Sequence, residues 1–246
     1  AKTKICWLEG NTKTPGKLDG FLGWFKRLII GRCRYAAVPG SDAAKYIGLH
    51  QARTRRQMPT PAFLPNLVDE ARFRPRNQWP VHDVAQRRES FGVDADGMLC
   101  IIPARLEPVK GLVPFLRALD SSSLTGWKIV IMGQGPLKES IRQTICEQGL
   151  EDCVRVLDYV PYEEMPLCYA AADLLLLMSF YDPNPLSVIE ALHSGLPVAV
   201  TDQAGNVEES VSPGGNGWVL PVLDQARYQC CLREVFSCSK ATLRCM

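Results

Sequence analysis

Two stretches of this 246-residue chain put charged side chains where a phosphorylated ligand could use them. In Pro103-Ala104-Arg105-Leu106-Glu107-Pro108-Val109-Lys110-Gly111 two cations, Arg105 and Lys110, follow an apolar run at 98–103 that reads as a β-strand. Open α/β sheets bind ligands outside the carboxyl ends of their strands. An arginine–lysine pair there suits a diphosphate, the first through its fork of donors and the second as a point charge. A solvated loop with two ordinary surface charges explains the same residues. The second stretch, Asp182-Pro183-Asn184-Pro185-Leu186-Ser187-Val188-Ile189-Glu190, sets two carboxylates eight residues apart around a proline-rich turn. Pro185 suits a first helical turn, where its missing N–H is not needed. The amides of Leu186 and Ser187 would then point outward toward phosphate oxygens, with the helix dipole behind them. Glu190, about one turn inside, could accept hydrogen bonds from vicinal hydroxyls such as those of a ribose, and Asp182 could hold another hydroxylated group. The plain alternative is a cap and a helix-surface acid. A third stretch, Gly133-Gln134-Gly135-Pro136, lies where a dinucleotide fingerprint would, but Lys138 replaces its third glycine, which argues against NAD or FAD. A tight strand-to-helix turn accounts for it better, with close approach of a ligand to Gly133 as a secondary use.

The elements that must position these residues follow from periodicity. Apolar runs at 98–103, 128–132, 154–157, 174–178 and 198–201, with a weaker one at 217–220, read as strands. Helical periodicity fills the gaps at 112–119, 137–148, 163–172 and 186–193, and Gly149 and Gly195 stand where left-handed helix ends want glycine. Such alternation implies an α/β fold with a Rossmann-like doubly wound parallel sheet, covering 92–246. Residues 1–91 read as a partial second α/β domain plus linker. It has a basic helix at 21–33, a strand at 35–38, a short helix after Pro39-Gly40-Ser41-Asp42, a strand at 62–64 and a polar connection over 72–92. Its beginning is expected to be absent.

Composition narrows the class. With 46% hydrophobic and 22% charged residues, disorder, collagen-like repeats and low complexity are excluded. No run approaches the roughly 18–20 apolar residues of a membrane span. Lys2 and Lys4 without an apolar segment after them give no expectation of a signal peptide. Ten cysteines without a Cys-x-x-Cys pair, and three histidines without ligand spacing, point to a reduced, cytoplasmic protein without a metal framework. Cys231, Cys238 and Cys245 recur every seven residues and are expected on one core-facing helical side. The net charge of +2 conceals a split: 17 Lys/Arg against 7 Asp/Glu in 1–91, and 11 against 19 in 92–246. Trp7, Trp24 and Phe25 are expected to pack inside, which leaves no aromatic-interleaved stripe for nucleic acid. The basic front fits either an anionic membrane surface or an ordinary solvated or interdomain face.

Taken in order, these segments resemble the nucleotide-sugar glycosyltransferases of the GT-B fold, in particular the retaining family 4 (group 1). Ile101 to Leu106 with Val109-Lys110-Gly111 is similar to the family's "GRL…KG" segment, and Lys128 to Pro136 to its "L-x-I-x-G-x-G-P" strand and turn. Tyr159-Val160-Pro161 with Tyr169-Ala170-Ala171-Ala172-Asp173 resembles "G-x-V-P…Y-x-x-A-D". Asp182 to Val200 resembles the E-x7-E motif and its continuation, and Leu64 to Asp69 the "P-N-G-V-D" ending a first domain. The resemblance implies transfer of a sugar, with retention, from a nucleoside-diphosphate sugar to a glycan or lipid-linked acceptor, as in bacterial cell-envelope polysaccharide or lipopolysaccharide biosynthesis. It implies that Arg105 and Lys110 bind the diphosphate, Glu190 the ribose and Asp182 the sugar. Backbone at Asn184, Pro185 and Leu186 would line sugar and phosphate, that at Val160 would receive the base, and no metal is expected. Asp182 for the usual glutamate, Ala104 and Leu67 for usual glycines, and Pro185 where many members have glycine depart from the pattern. The alternatives are a truncated donor-binding module without transferase activity and a GT-B sugar-nucleotide epimerase. A cytoplasmic location, peripheral at the inner face of the membrane, is the matching expectation.

Overall fold

In a computed structural model, residues 3–10, 12, 18–94, 96–205 and 207–246 are described. The chain forms two units, one of Ala1–Leu67, Tyr181–Pro185 and Gln203–Glu209, the other of Val68–Phe180, Leu186–Asp202 and Ser210–Met246.

The smaller unit is built on a parallel sheet of β1 (Ile5–Trp7), β2 (Tyr35–Val38) and β3 (Thr60–Phe63), with β2 central. Helices α1 (Gly20–Ile30) and α2 (Ser41–Gln51) connect the strands. Ile30, Ala36, Val38, Ala43, Ile47 and Met58 form its core. Strand β1 is absent from the sequence reading because it has only three residues and buries none of them fully. The exposed Trp7, Trp24 and Phe25 overturn the expectation that these rings pack inside. Helix α1 buries only Gly23 and Ile30, so its aromatic side faces outward. The first turn of α2 is closed by carboxylates of Gln203–Glu209. The Ser41 amide donates to Glu209, and Lys45 pairs with Glu208 at 2.6 Å, acids where a helix N-terminus favours them.

The larger unit opens with α3 (Val81–Ser90) and continues through β4 (Met98–Pro103), α4 (Leu112–Ala118), β5 (Trp127–Met132), α5 (Lys138–Glu147), β6 (Val154–Leu157), α6 (Met165–Ala171), β7 (Leu174–Leu177), α7 (Leu186–His193) and β8 (Val198–Thr201). After α8 (Val207–Ser210) come β9 (Gly217–Leu220), α9 (Gln225–Ser237) and α10 (Lys240–Cys245). All six strands are parallel, in the order β6-β5-β4-β7-β8-β9. The sheet is the Rossmann-like, doubly wound α/β arrangement expected. Its central strands are unbroken apolar runs because both faces are covered by helices. The order reverses between β4 and β7, paired through Cys100–Leu174 and Ile101–Leu175, which makes their carboxyl ends the topological switch point. Trp127 ties α9 to the core, donating from Nε1 to the Phe236 carbonyl at 2.9 Å with the two rings edge to face.

Two local expectations change. Much of the polar connection over 72–92 is the helix α3, whose inward residues are Val84 and a buried arginine, Arg88, a face too thin to show as apolar periodicity. The seven-residue cysteine spacing does not lie on one helix. Ser239 caps a new helix through Thr242, so α9 ends before Cys238, and Cys245 is exposed while Cys231 and Cys238 are half-buried.

Candidate functional site at the carboxyl edge

At the switch point, the loops after β4, β5 and β7 are joined through main chain. The Ala104 amide donates to the Met132 carbonyl, Leu106 to Gln134, and Leu137 back to Leu106, at 2.9–3.0 Å. Phe180 donates to Val109 at 2.8 Å. Three glycines permit this closeness. A Cβ on Gly133 would lie 1.9 Å from the Ala104 oxygen, one on Gly135 2.5 Å from the Leu106 oxygen, and one on Gly111 2.2 Å from the Met178 oxygen. Gly111 also adopts φ +65° as it leads into α4, a conformation open to glycine at little cost. At Gly133 the side that a Cβ would occupy is filled by the protein's own backbone.

Of the residues singled out from sequence, Arg105, Lys110 and Gly133 lie in these loops, Val160 follows β6, and Leu186 and Glu190 are on α7. Arg105 is exposed and donates to its neighbour Glu107 at 2.8 Å. An exposed pair of this kind is worth about 0–1 kcal/mol and is readily exchanged for a phosphate oxygen. Lys110 closes a short 3-10 turn, Pro108–Lys110, directly before Gly111 and is half-buried. Val160 follows β6 in a loop with the exposed Tyr159. Leu186 opens α7 and is exposed. Glu190, on the same helix, is half-buried and accepts a hydrogen bond from the Tyr169 hydroxyl at Oε2, 2.7 Å. Burial holds the Glu190 carboxyl above the usual carboxylate range, and the Tyr169 bond draws it partly back. Burial and the neighbouring Glu190 push the Tyr169 hydroxyl well above its ordinary value, so it stays a neutral donor.

Arg105, Lys110, Gly133, Val160, Leu186 and Glu190 thus all belong to the larger unit and to loops or helix starts at its carboxyl edge. Asp182, Asn184 and Pro185 lie in Tyr181–Pro185, which groups with the smaller unit. There Asp182 is bridged to Ala204, its carbonyl accepting from the Gly205 amide at 2.9 Å.

Two features escaped the sequence reading. Lys138, the residue in place of a third glycine, pairs with Asp158 beyond β6 and holds that carboxyl below its usual range. Tyr169 entered only as a motif letter, yet it touches the one acid on α7. Its partner lies 21 residues away, so no local spacing reveals it. Among the described residues no group of three or more His, Cys, Asp or Glu is placed to hold a metal ion. No helix among them is long and apolar enough to cross a membrane.

Solved structures share this architecture. Anabaena HepE, crystallised with UDP and glucose, superposes with a TM-score of 0.76 at 17% identity, over 99% of this chain and 65% of its own. WaaG, a glycosyltransferase involved in lipopolysaccharide biosynthesis, gives 0.76 at 17% identity, over 98% and 67%. The fold is that of the GT-B glycosyltransferases. The family described as "Glycosyl transferases group 1" matches residues 83–245, and the chain belongs to it. A curated relative, D-inositol 3-phosphate glycosyltransferase of Frankia alni, is 27% identical over 226 residues, which is 87% of this chain and 52% of the relative. The chain spans about a third to a half of the length of the curated relatives it matches first.

Proposed function

We propose that this chain is the donor-binding half of a retaining glycosyltransferase that moves a sugar from a nucleoside-diphosphate sugar to a glycan or lipid-linked acceptor in cell-envelope polysaccharide or lipopolysaccharide biosynthesis. The observation that carries the reading is the switch-point edge, where the Arg105–Lys110 loop and the start of α7, with Glu190 held on it, end at one rim of the sheet. Lys110 and Arg105 take the diphosphate, assisted by the outward amides at Leu186 and Ser187. Glu190 accepts from the ribose hydroxyls, and the Val160 backbone receives the base. Asp182 is assigned to the sugar hydroxyls and the backbone of Asn184 and Pro185 to the sugar and phosphate, on the resemblance of that segment to the family motif.

In the transfer step, the bond between the anomeric carbon and the diphosphate oxygen breaks and its electron pair leaves with the phosphate. The acceptor oxygen bonds to the same face of the carbon, and its proton passes to the departing phosphate oxygen. Fixed cations and helix amides stabilise that developing charge, which is the main electrostatic work of such a site. Those groups supply the countercharge themselves, so the reading includes no metal.

Helix α1 supports a peripheral membrane location. Phe21, Trp24 and Phe25 form an exposed ring cluster on a helix that also carries Lys26 and Arg27, the composition of an interfacial helix. Sedimentation with anionic vesicles, lost at 1 M salt, is expected; no binding at low salt overturns this part.

Calorimetry with UDP, GDP and ADP, free and as sugars, tests the donor site. Binding of one of them is expected, weakened in Lys110→Ala and Glu190→Gln; a folded chain that binds none refutes the reading. Transfer to a lipid-linked acceptor separates a transferase from a donor-binding module. Donor consumed without acceptor would mark an epimerase.

A further inference from the structure

Beyond the residues that face the donor, one buried group acts on the site from behind. We infer that Tyr169 is a positioning residue for Glu190, fixing one carboxylate oxygen so that the other is presented to the ribose in a set direction. The inference deepens the reading of Glu190 as the ribose acceptor and rests on it.

Tyr169 is 1% exposed, yet its hydroxyl reaches the Glu190 Oε2 at 2.7 Å, a distance for a bond to a charged acceptor. The ring itself cannot shift freely. Phe73, fully buried, packs against it with ring centroids 5.7 Å apart. The end of α6 is clamped because Arg88 donates to the Ala171 carbonyl at 2.7 Å. Residues of the 68–91 segment thus brace α6, α6 fixes Tyr169, and Tyr169 fixes a glutamate on α7. An unrestrained glutamate carries about 1.5–2 kcal/mol of rotamer freedom. Spending that freedom in folding rather than in binding is what preorganisation means. The bond is directional as well. Tyr169 can only donate while it is neutral, and Glu190 accepts best while it is ionised. The charged or titratable groups around this pair include Cys168 beside Tyr169 and, around the Tyr162 phenol that senses the Glu190 charge, Arg72 over its ring at 5.1 Å, Asp69 and Glu163; His193, also on α7, lies 3.8 Å from Glu70.

The test uses the nucleoside diphosphate selected above and its 2′-deoxy counterpart. Tyr169→Phe removes one oxygen and leaves the ring on Phe73, so circular dichroism should show an unchanged fold. We expect Tyr169→Phe to weaken the ribonucleotide about tenfold, the scale of one hydrogen bond to a charged group. It should weaken the 2′-deoxy compound far less, and the acid limb of binding should move to higher pH. In a Glu190→Gln background the same change should add less than twofold. A folded Tyr169→Phe that binds within twofold of the parent, or loses both nucleotides equally, overturns the inference. If Glu190→Gln alone leaves binding and 2′-deoxy discrimination unchanged, the ribose reading itself has failed and the inference falls with it, a result recognisable without the tyrosine variant.

Discussion

Replacing Arg88 by methionine should destabilise the larger unit far more than the same change at Arg76, although both arginines pair with one carboxylate. Asp173 immediately precedes β7 with its side chain 2% exposed, and its Oδ2 accepts from Arg88 Nη1 at 2.8 Å and from the Leu99 amide at 2.9 Å. Arg76 Nη1 reaches Oδ1 at 3.1 Å. The environments differ. The Arg88 side chain is 7% exposed and also satisfies the Ala171 and Gly97 carbonyls, whereas that of Arg76 is 34% exposed. Breaking a buried pair by removing one partner strands the other charge and costs about 3–5 kcal/mol. Removing a partner that water can replace costs about 1 kcal/mol or less. Against a total stability of roughly 5–15 kcal/mol, Arg88→Met takes a large share. Urea unfolding followed by circular dichroism, at constant m, reads the difference as a shift in midpoint. The reasoning is refuted if Arg76→Met costs as much as Arg88→Met, or if Arg88→Met costs under about 1 kcal/mol.

Two further outcomes are expected. Gly111→Ala combines a left-handed backbone with a Cβ 2.2 Å from the Met178 carbonyl, and should cost about 2–4 kcal/mol by urea unfolding; a loss under about 0.5 kcal/mol would mean the seam yields. His50, fully buried with neither ring nitrogen hydrogen-bonded, has its pKa lowered to about 4 by burial, with Arg27, Lys26 and Arg53 adding to it. The unfolded chain then binds a proton that the folded chain refuses, so this share of stability is present above pH 6.5 and lost as pH falls toward 4. About 2 kcal/mol should go by pH 5, and His50→Leu should flatten that limb; an identical pH slope in both proteins would contradict the assignment.

The sheet could be read from the chain because its strands are short, largely apolar runs between amphipathic helices, a pattern that a two-faced parallel sheet dictates. Helix α3 could not, since its inward side is carried by Val84 and by an arginine whose burial depends on Asp173, 85 residues away. The same limit applies at the site. Arg105, Lys110 and Glu190 stand out by charge, and the structure places the first two in the loop after β4 and Glu190 on α7. The hydrogen bond that aims Glu190 belongs to the packing of α6 on α7 and has no local trace. The exposed rings of α1 were misread because aromatic residues usually pay for folding by burial, and only the sheet beneath shows that Gly23 and Ile30 take the inward side.

The glycine seam at the switch point has a consequence for how this edge can be altered. It is made of amides and carbonyls, with the main chain of Ala104, Leu106 and Met178 facing Gly133, Gly135 and Gly111 and the Phe180 ring also close to Gly111. At position 104 both main-chain groups serve the seam, the amide donating to Met132 and the carbonyl facing Gly133. The rim is therefore tolerant and brittle at once: the side chains of Glu107 and Gln134 take no part in these main-chain contacts, while a single methyl group at three fixed places would part the loops that carry them.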